Sequence, residues 1–364
     1  MRATGPLRHL GAAMAAGAVL LAGCATGGDG GTTGPAPGPG TSGGGAAVGP
    51  GTTGPGVAED GRPRSPFTGL GLDADVLARP ALIVKIENSP NARPQSGLDA
   101  ADVVIEELVE GGITRFMVLF HSTLPETAGP VRSARPVDVD LLGGLGPSGF
   151  AFSGARAEVL QLLAAAPSVK VTEGAPGFFR DDRRSAPHNL YLRPTEALEA
   201  VEARGARPLR DIGWTFDEEP PADQLVCPAS ASACPDPGAS VVVVMSPAYR
   251  TGWTYDERAG VYRRDQNGTP SEVTGGGTIG AANVVVLATR HYVGISGYDE
   301  TEAVTAGAPA IVLRDGRRYD AVWVKPTAGD LLLLRTPDGR PFPLRPGPTW
   351  VHLPRADRLP TLGG

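Results

Sequence analysis

From residue 66 onward the chain alternates short apolar runs with polar punctuation, and the period of that alternation separates strands from helices. Ala81-Leu82-Ile83-Val84-Lys85-Ile86 is a nearly continuous apolar run and predicts a strand, as does Asp102-Val103-Val104-Ile105-Glu106. Ile113 to His121 is rich in β-branched and aromatic residues; as a strand it places Arg115, Met117, Leu119 and His121 on one face. Phe150-Ala151-Phe152 predicts another strand. A helix follows over Arg156 to Ala165 with Val159, Leu160 and Leu163 inward, and Thr195 is placed to cap a second, with Ala197, Leu198 and Val201 inward. After Ser240 the pattern is all strand: Val241 to Met245, Trp253 to Tyr255, Val284 to Leu287, Ile311 to Leu313, Ala321 to Val324 and Trp350 to Leu353 are separated by turn residues. Asp256 to Gly260 and Asp315-Gly316 read as hairpin connections. The expected fold class is therefore α+β: a mixed α/β N-terminal domain over 66–205, a Pro-rich connector over 206–238, and a small all-β sandwich or barrel over 239–356.

The start of the chain carries an address. Arg2 and Arg8 precede an apolar run from Leu10 to Leu20, and small residues follow, so residues 1–23 read as a secretory leader. The run is shorter than the roughly 20 residues that a spanning helix needs. Leu21-Ala22-Gly23-Cys24 resembles the bacterial lipobox, in which the cysteine sulfur receives diacylglycerol and the preceding bond is cut. Cleavage there removes two arginines and takes the net charge from -6 to -8. Residues 25–65 hold 15 Gly and 6 Pro without apolar periodicity, so 24–65 reads as a lipidated cysteine and a flexible tether. Its r.m.s. reach is about 35 Å and its contour limit on the order of 140 Å. The expected location is the outer face of the bacterial cytoplasmic membrane, with the membrane itself as a partner through Cys24.

Composition narrows the function classes. Thirty-three basic residues stand against 39 acidic, and no basic stripe marks a nucleic-acid surface. Cys227 and Cys234 are the two cysteines besides Cys24; in an oxidising compartment they are expected to form a disulfide, whereas a zinc site lacks a local His or second Cys pair. Gly144-Leu145-Gly146-Pro147-Ser148-Gly149 matches a dinucleotide spacing but lacks a clear preceding strand and contains Pro147. The five His are scattered. Asp138 and Asp140 would share a face if extended, and would be an ordinary acidic helix start if helical, which is the preferred reading. Glu106, Glu107 and Glu110 read as a solvated edge. No catalytic residue, metal site or cofactor is expected.

Polar strings sit at the ends of the apolar strands: Asn88-Ser89-Pro90-Asn91-Ala92-Arg93-Pro94-Gln95-Ser96-Gly97-Leu98, Glu110-Gly111-Gly112-Ile113-Thr114-Arg115-Phe116-Met117 and Gly129-Pro130-Val131-Arg132-Ser133-Ala134-Arg135-Pro136. Together with Arg180-Asp181, His188-Asn189-Leu190-Tyr191, Trp323-Val324-Lys325-Pro326 and Pro346-Gly347-Pro348-Thr349-Trp350-Val351, they resemble the YerB-like bacterial lipoproteins, a two-part family of unknown function. The resemblance implies a lipid-anchored, two-domain envelope protein and supplies no reaction. Arginine suits forked contacts with phosphate or carboxylate, so Arg115, Arg132 and Arg135, with Asn88, His188 and Asn189, form the candidate ligand-binding set; the alternative is that the arginines pair with neighbouring carboxylates. The first functional reading is a non-catalytic binding or scaffolding module for an anionic wall polymer or an envelope protein. The second is a phosphoryl or glycosyl-phosphate transferase, because the order of elements from Pro125 through Arg135, Asp138 and Asp140 to Phe152-Ser153-Gly154 is similar to the LytR-CpsA-Psr enzymes, although Pro136 stands where that family has an Asp. Cys24→Ala is expected to move the protein from the membrane to the soluble fraction, read by fractionation of cells.

Overall fold

The computed structural model of the chain describes residues 56–221, 238–295 and 297–360. The leader, Cys24 and the expected Cys227–Cys234 bond lie outside the described residues. Residues 56–65, assigned by composition to the tether, are folded: Val57 bridges Pro63, and the Arg64 guanidinium donates to the Phe216 carbonyl at 2.8 Å. Ser65 is buried and Arg64 half-buried, whereas Val57 is exposed, so the segment is held from its Arg64–Ser65 end.

The chain opens with α1 (Ala74–Leu77), β1 (Leu82–Glu87), β2 (Val103–Leu108) and β3 (Thr114–Phe120). Next come α2 (Pro136–Gly143), β4 (Gly149–Ala151), α3 (Ala157–Ala165), β5 (Val169–Val171), β6 (Phe178–Arg180) and β7 (Leu190–Leu192). α4 (Pro194–Ala203) and β8 (Thr215–Phe216) lead to an all-strand part that begins with β9 (Ser240–Ser246), β10 (Tyr249–Asp256), β11 (Val261–Gln266), β12 (Thr269–Pro270) and β13 (Gly280–Ala281). It continues with β14 (Asn283–Leu287), β15 (Arg290–Val293), β16 (Asp299–Glu302), β17 (Thr305–Arg314) and β18 (Arg317–Lys325). β19 (Leu333–Arg335), β20 (Pro343–Leu344) and β21 (Thr349–Leu353) close the fold.

The described chain is mostly sheet, and its α-helices all precede residue 205. Local chemistry explains the boundaries. The β17–β18 hairpin turns on Asp315 and Gly316, both at positive φ, as its Asp-Gly pair requires. α4 begins with Pro194 at its first position and Arg193 at the cap, two residues earlier than Thr195 would set it, because proline's fixed φ already suits a helix start. Ala197, Leu198 and Val201 face inward as their spacing predicts, but on α3 only Val159 and Leu163 do; Leu160 is 44% exposed. Gly144 to Gly149 runs from the end of α2 into β4, a helix-to-strand passage, opposite in sense to a dinucleotide turn.

The all-strand half does not close on itself as a separate sandwich or barrel. Ten strands from both halves share one sheet in the order β19-β18-β17-β14-β21-β2-β3-β1-β4-β5, and the seam is the parallel pairing of β2 with β21 from Val103↔Thr349 to Glu107↔Leu353. An apolar run specifies that a strand is buried but not which strand lies beside it, so this joint was invisible in the pattern. β9 to β12 form a second sheet, with β13 pairing β11. This sheet and α4 cover one face of the large sheet, where Trp253 and Tyr262 pack with Val104, Phe116, Val286 and Trp350. α2, α3 and the segment around Ile212 to Phe216 cover the other, over Ile83, Met117, Val285 and Val351.

Glu106 lies inside the first of these layers and is fully buried. It accepts hydrogen bonds from Thr114 Oγ1 at 2.7 Å and Thr251 Oγ1 at 2.9 Å, with Arg264 at 3.6 Å and His352 Nδ1 at 3.0 Å. The Trp253 indole N–H can only donate, and it does so to His352 Nε2 at 2.9 Å, which leaves the imidazole proton on Nδ1 facing the carboxylate. Burial alone would raise the Glu106 carboxyl, but the His352 hydrogen bond and the Arg264 charge hold it at about 2. Glu106→Ala strands the buried Arg264 and is expected to lower the unfolding free energy by about 3–5 kcal/mol, measured by denaturant titration of tryptophan fluorescence.

Candidate functional site

β1, β2, β4, β5, β14 and β21 all run in the same direction, since β1 and β2 are each antiparallel to β3 and the remaining pairings among them are parallel. Their carboxyl ends therefore form one edge, where open sheets commonly bind ligands. On the α2 side of that edge, Glu87, Arg115 and Glu107 lie side by side across β1, β3 and β2. Lys85 is one step inside on β1, and the first turn of α2 brings Asp138 onto it.

The innermost group is a closed ion set. Lys85 Nζ contacts Glu107 Oε1 and donates to Asp138 Oδ1 at 2.7 Å, with all three side chains fully buried. Burial and then the Asp138 charge push the Glu107 carboxyl up to about 7, against the pull of Lys85. Asp138 Oδ2 also accepts the Arg135 backbone N–H at 2.7 Å, so this carboxylate caps α2. The expectation of a solvated acidic edge is thus wrong for Glu106 and Glu107, which point to opposite faces and are both buried; Glu110 is 36% exposed at its side chain. Asp138 and Asp140 are helical and do not pair. Asp140 instead accepts the Ala303 N–H at 3.1 Å.

The arginines form the outer layer. Arg135 forks onto Glu110, with Nε to Oε2 at 2.6 Å, and Arg115 donates to the Ser133 carbonyl at 2.8 Å while lying 3.8 Å from Glu110. Arg132 approaches Glu87 at 3.3 Å. Glu87 also accepts Ser89 Oγ at 2.7 Å and lies 2.9 Å from His188 Nδ1. The Arg115 guanidinium is driven down to about 10 by burial and then by the charges of Arg135 and Arg132, which places all three in one electrostatic neighbourhood. One donor there is unmet: the buried Nε–H of Arg115 makes no hydrogen bond, whereas that of Arg132 faces Glu87 Oε2 at 3.3 Å.

Of the six residues expected to share a ligand site, the structure brings together Arg115, Arg132, Arg135 and His188. Asn88 is buried on the opposite face against Thr114 and Gln266, because consecutive strand residues alternate sides. Asn189 points away to Arg180, accepting at 2.7 Å. Lys85, Glu87 and Glu107 were not anticipated; a lysine and a glutamate inside the apolar run Leu82-Ile83-Val84-Lys85-Ile86-Glu87 are the signal that could have found them. The turn carrying His188 also walls an open groove of about 540 Å³, lined by Ser96, Asp99, Glu126, Phe179, Arg184 and Tyr191 among others. Among the described residues no group of three or more His, Cys, Asp or Glu side chains is arranged to hold a metal.

Comparison with known proteins places this geometry. Residues 67–207 match the N-terminal domain of the family described as "Protein of unknown function (DUF3048)", and residues 241–351 match its C-terminal domain. The chain belongs to the DUF3048 family. Within it, the chain is 29% identical over 297 residues to "Putative lipoprotein YerB" of Bacillus subtilis, covering 80% of this chain and 86% of that protein. The crystal structure of YerB superposes with a TM-score of 0.69 at 28% identity, over 81% of this chain and 98% of that one. The DUF3048 match begins at Phe67 and ends at Val351, within the seam strand β21, so the large sheet is assembled from both matched regions.

The raised Glu107 has a readable consequence. The folded state holds this proton more tightly than the unfolded chain, so its contribution to stability is complete below about pH 4.5 and is lost as pH rises through about 7. Wild-type protein is expected to lose melting temperature between pH 5 and pH 8 relative to Glu107→Gln, measured by calorimetry in matched buffers.

Proposed function

We propose that this chain is a lipid-anchored binding module of the bacterial cell envelope, held through Cys24 at the outer face of the cytoplasmic membrane, and that the arginine mouth takes an anionic group, phosphate or carboxylate, of a wall polymer or protein partner. The observation that carries the ligand reading is the buried, unmet guanidinium Nε–H of Arg115 in the same cluster as the part-exposed Arg132. Buried donors are almost always satisfied, and an acceptor-rich anion at the carboxyl edge would satisfy this one. Arg132 is the more accessible, with 23% of its side chain exposed. The anchor reading is supported by the sequence at Cys24 and by the printed name of the Bacillus subtilis relative.

Binding is favoured over transfer by the position of Lys85. Its ammonium is paired with Asp138, and Asp140 accepts the Ala303 N–H, where a transferase of the second kind would need those two aspartates for a divalent cation. Arg132 is the decisive residue to change, since Arg135 is engaged by Glu110 and the helix cap, whereas Glu87 keeps Ser89 and His188 if Arg132 is removed. One charge-assisted contact is worth about 1.5–3 kcal/mol, so Arg132→Ala should weaken pyrophosphate or wall-fragment binding by about 10-fold to 150-fold. Its melting temperature should change little, and Arg132→Lys should restore part of the affinity. Titration calorimetry beside thermal unfolding checks this; a wild type without anion affinity, or a variant that loses stability and nothing else, would reject the site.

A further inference from the structure

Nine large apolar side chains are prominently exposed among the described residues, and four of them, Tyr292 (39%), Val293 (78%), Ile295 (56%) and Tyr298 (50%), crowd one hairpin end; the other five are scattered. A cluster of this kind on an otherwise ordinary surface marks a contact site. The hairpin is β15–β16, which leaves the carboxyl edge of β14. Residues 292–298 contain no charged side chain. The charges around the tip are engaged: Arg290 forks onto Glu302 and lies over the Tyr292 ring at 5.2 Å, Arg156 lies over the Tyr298 ring at 5.8 Å, Arg355 lies 3.1 Å from Asp299, and Glu300 is 6% exposed. Gly294 makes the last of these possible, because a Cβ there would fall 1.9 Å from the Glu300 carboxylate.

We infer that this tip is a membrane-contacting element that rests in the lipid interface when the anchored body leans onto its own bilayer. Two aliphatic side chains between two tyrosines suit that environment, where amphipathic rings sit at headgroup level and apolar groups lie beneath. The chain outside the folded body supplies the encounter. From Cys24 to residue 55 there are 32 residues, whose covalent reach is at most about 110 Å, against a body roughly 50 Å across. Residues 56–64 join the body beside Phe216 and Pro346, at the edge opposite the hairpin, and that length suffices to turn the body over. Held so close, the tip meets lipid at a high effective concentration, so a contact too weak to bind from solution is populated.

The inference rests on the anchor reading, and the test separates the two. The chain from residue 24, carrying Cys24→Ser and an N-terminal histidine tag, is held on phosphatidylcholine vesicles by a nickel-chelating lipid, which supplies an anchor whether or not Cys24 is lipidated in cells. Val293→Trp then reports contact: its emission in excess of the wild type, which holds four tryptophans, should fall roughly twofold in vesicles of bromine-labelled lipid, and adding Ile295→Asp should abolish the loss. Val242→Trp, at an exposed position of β9, is the control and should not respond. Quenching at Val293→Trp no greater than at Val242→Trp, or quenching indifferent to Ile295→Asp, would overturn the proposal. Both substitutions lie at exposed positions, and an unchanged melting temperature confirms that each variant is folded.

Discussion

One buried carboxylate organises this fold. Glu106 sits on β2 at the seam between the two halves and binds groups from β3, β10, β11 and β21. A charge taken out of water is tolerated only when its lone pairs are met and its sign is balanced. Here Arg264 supplies the balance, two threonine hydroxyls and His352 meet the oxygens, and Trp253 fixes the imidazole from behind. Every partner must arrive together, so the arrangement ties the small sheet to the large one and both to the seam. Trp350 completes the joint, packing edge-on against Phe116 and Trp253 at centroid distances of 5.3 Å in each case.

The same strand carries the opposite solution one residue later. Glu107 faces α2 and is balanced by Lys85, with Asp138 as a second claimant on the same ammonium. Two carboxylates and one cation leave Glu107 easier to protonate, whereas on the other face one carboxylate among several donors is held ionised. Adjacent glutamates with opposed titration behaviour thus follow from strand alternation and from what each face provides. The Lys85 set also positions the arginine layer: Asp138 caps the helix whose first residue follows Arg135, and that places Arg135 against Glu110 and near Arg115.

The edges of the sheet have separate uses. The folded chain begins near Phe216 and Pro346, beside the amino ends of the strands, while the arginine mouth and the β15–β16 hairpin both occupy the carboxyl ends. Both matched regions of the DUF3048 family contribute strands to these edges.

Elements were legible where a local rule sufficed. The strands at Leu82, Val103 and Thr114, the inward face of α4 and the Asp315-Gly316 turn follow from periodicity and backbone preference, which act over a few residues. Part of the site was legible too, because Arg115, Arg132, Arg135 and His188 lie in polar strings at strand ends, and such ends gather at a common edge when strands run alike. Asn88 and Glu106 were misplaced for one reason: which side of a strand meets water depends on what covers it, and the cover of this face is a sheet formed more than a hundred residues later. The joining of both halves through β2 and β21 was likewise beyond the pattern, since an apolar strand records its own burial and not its neighbour. By itself the sequence determined the leader-like start, the Gly- and Pro-rich spacer, the positions of most strands and the arginines available to a site. Only the tertiary structure decided the single sheet, the two faces of Glu106 and Glu107, and which charges are matched, because hydrogen-bond partners and desolvation are set by groups distant in the chain.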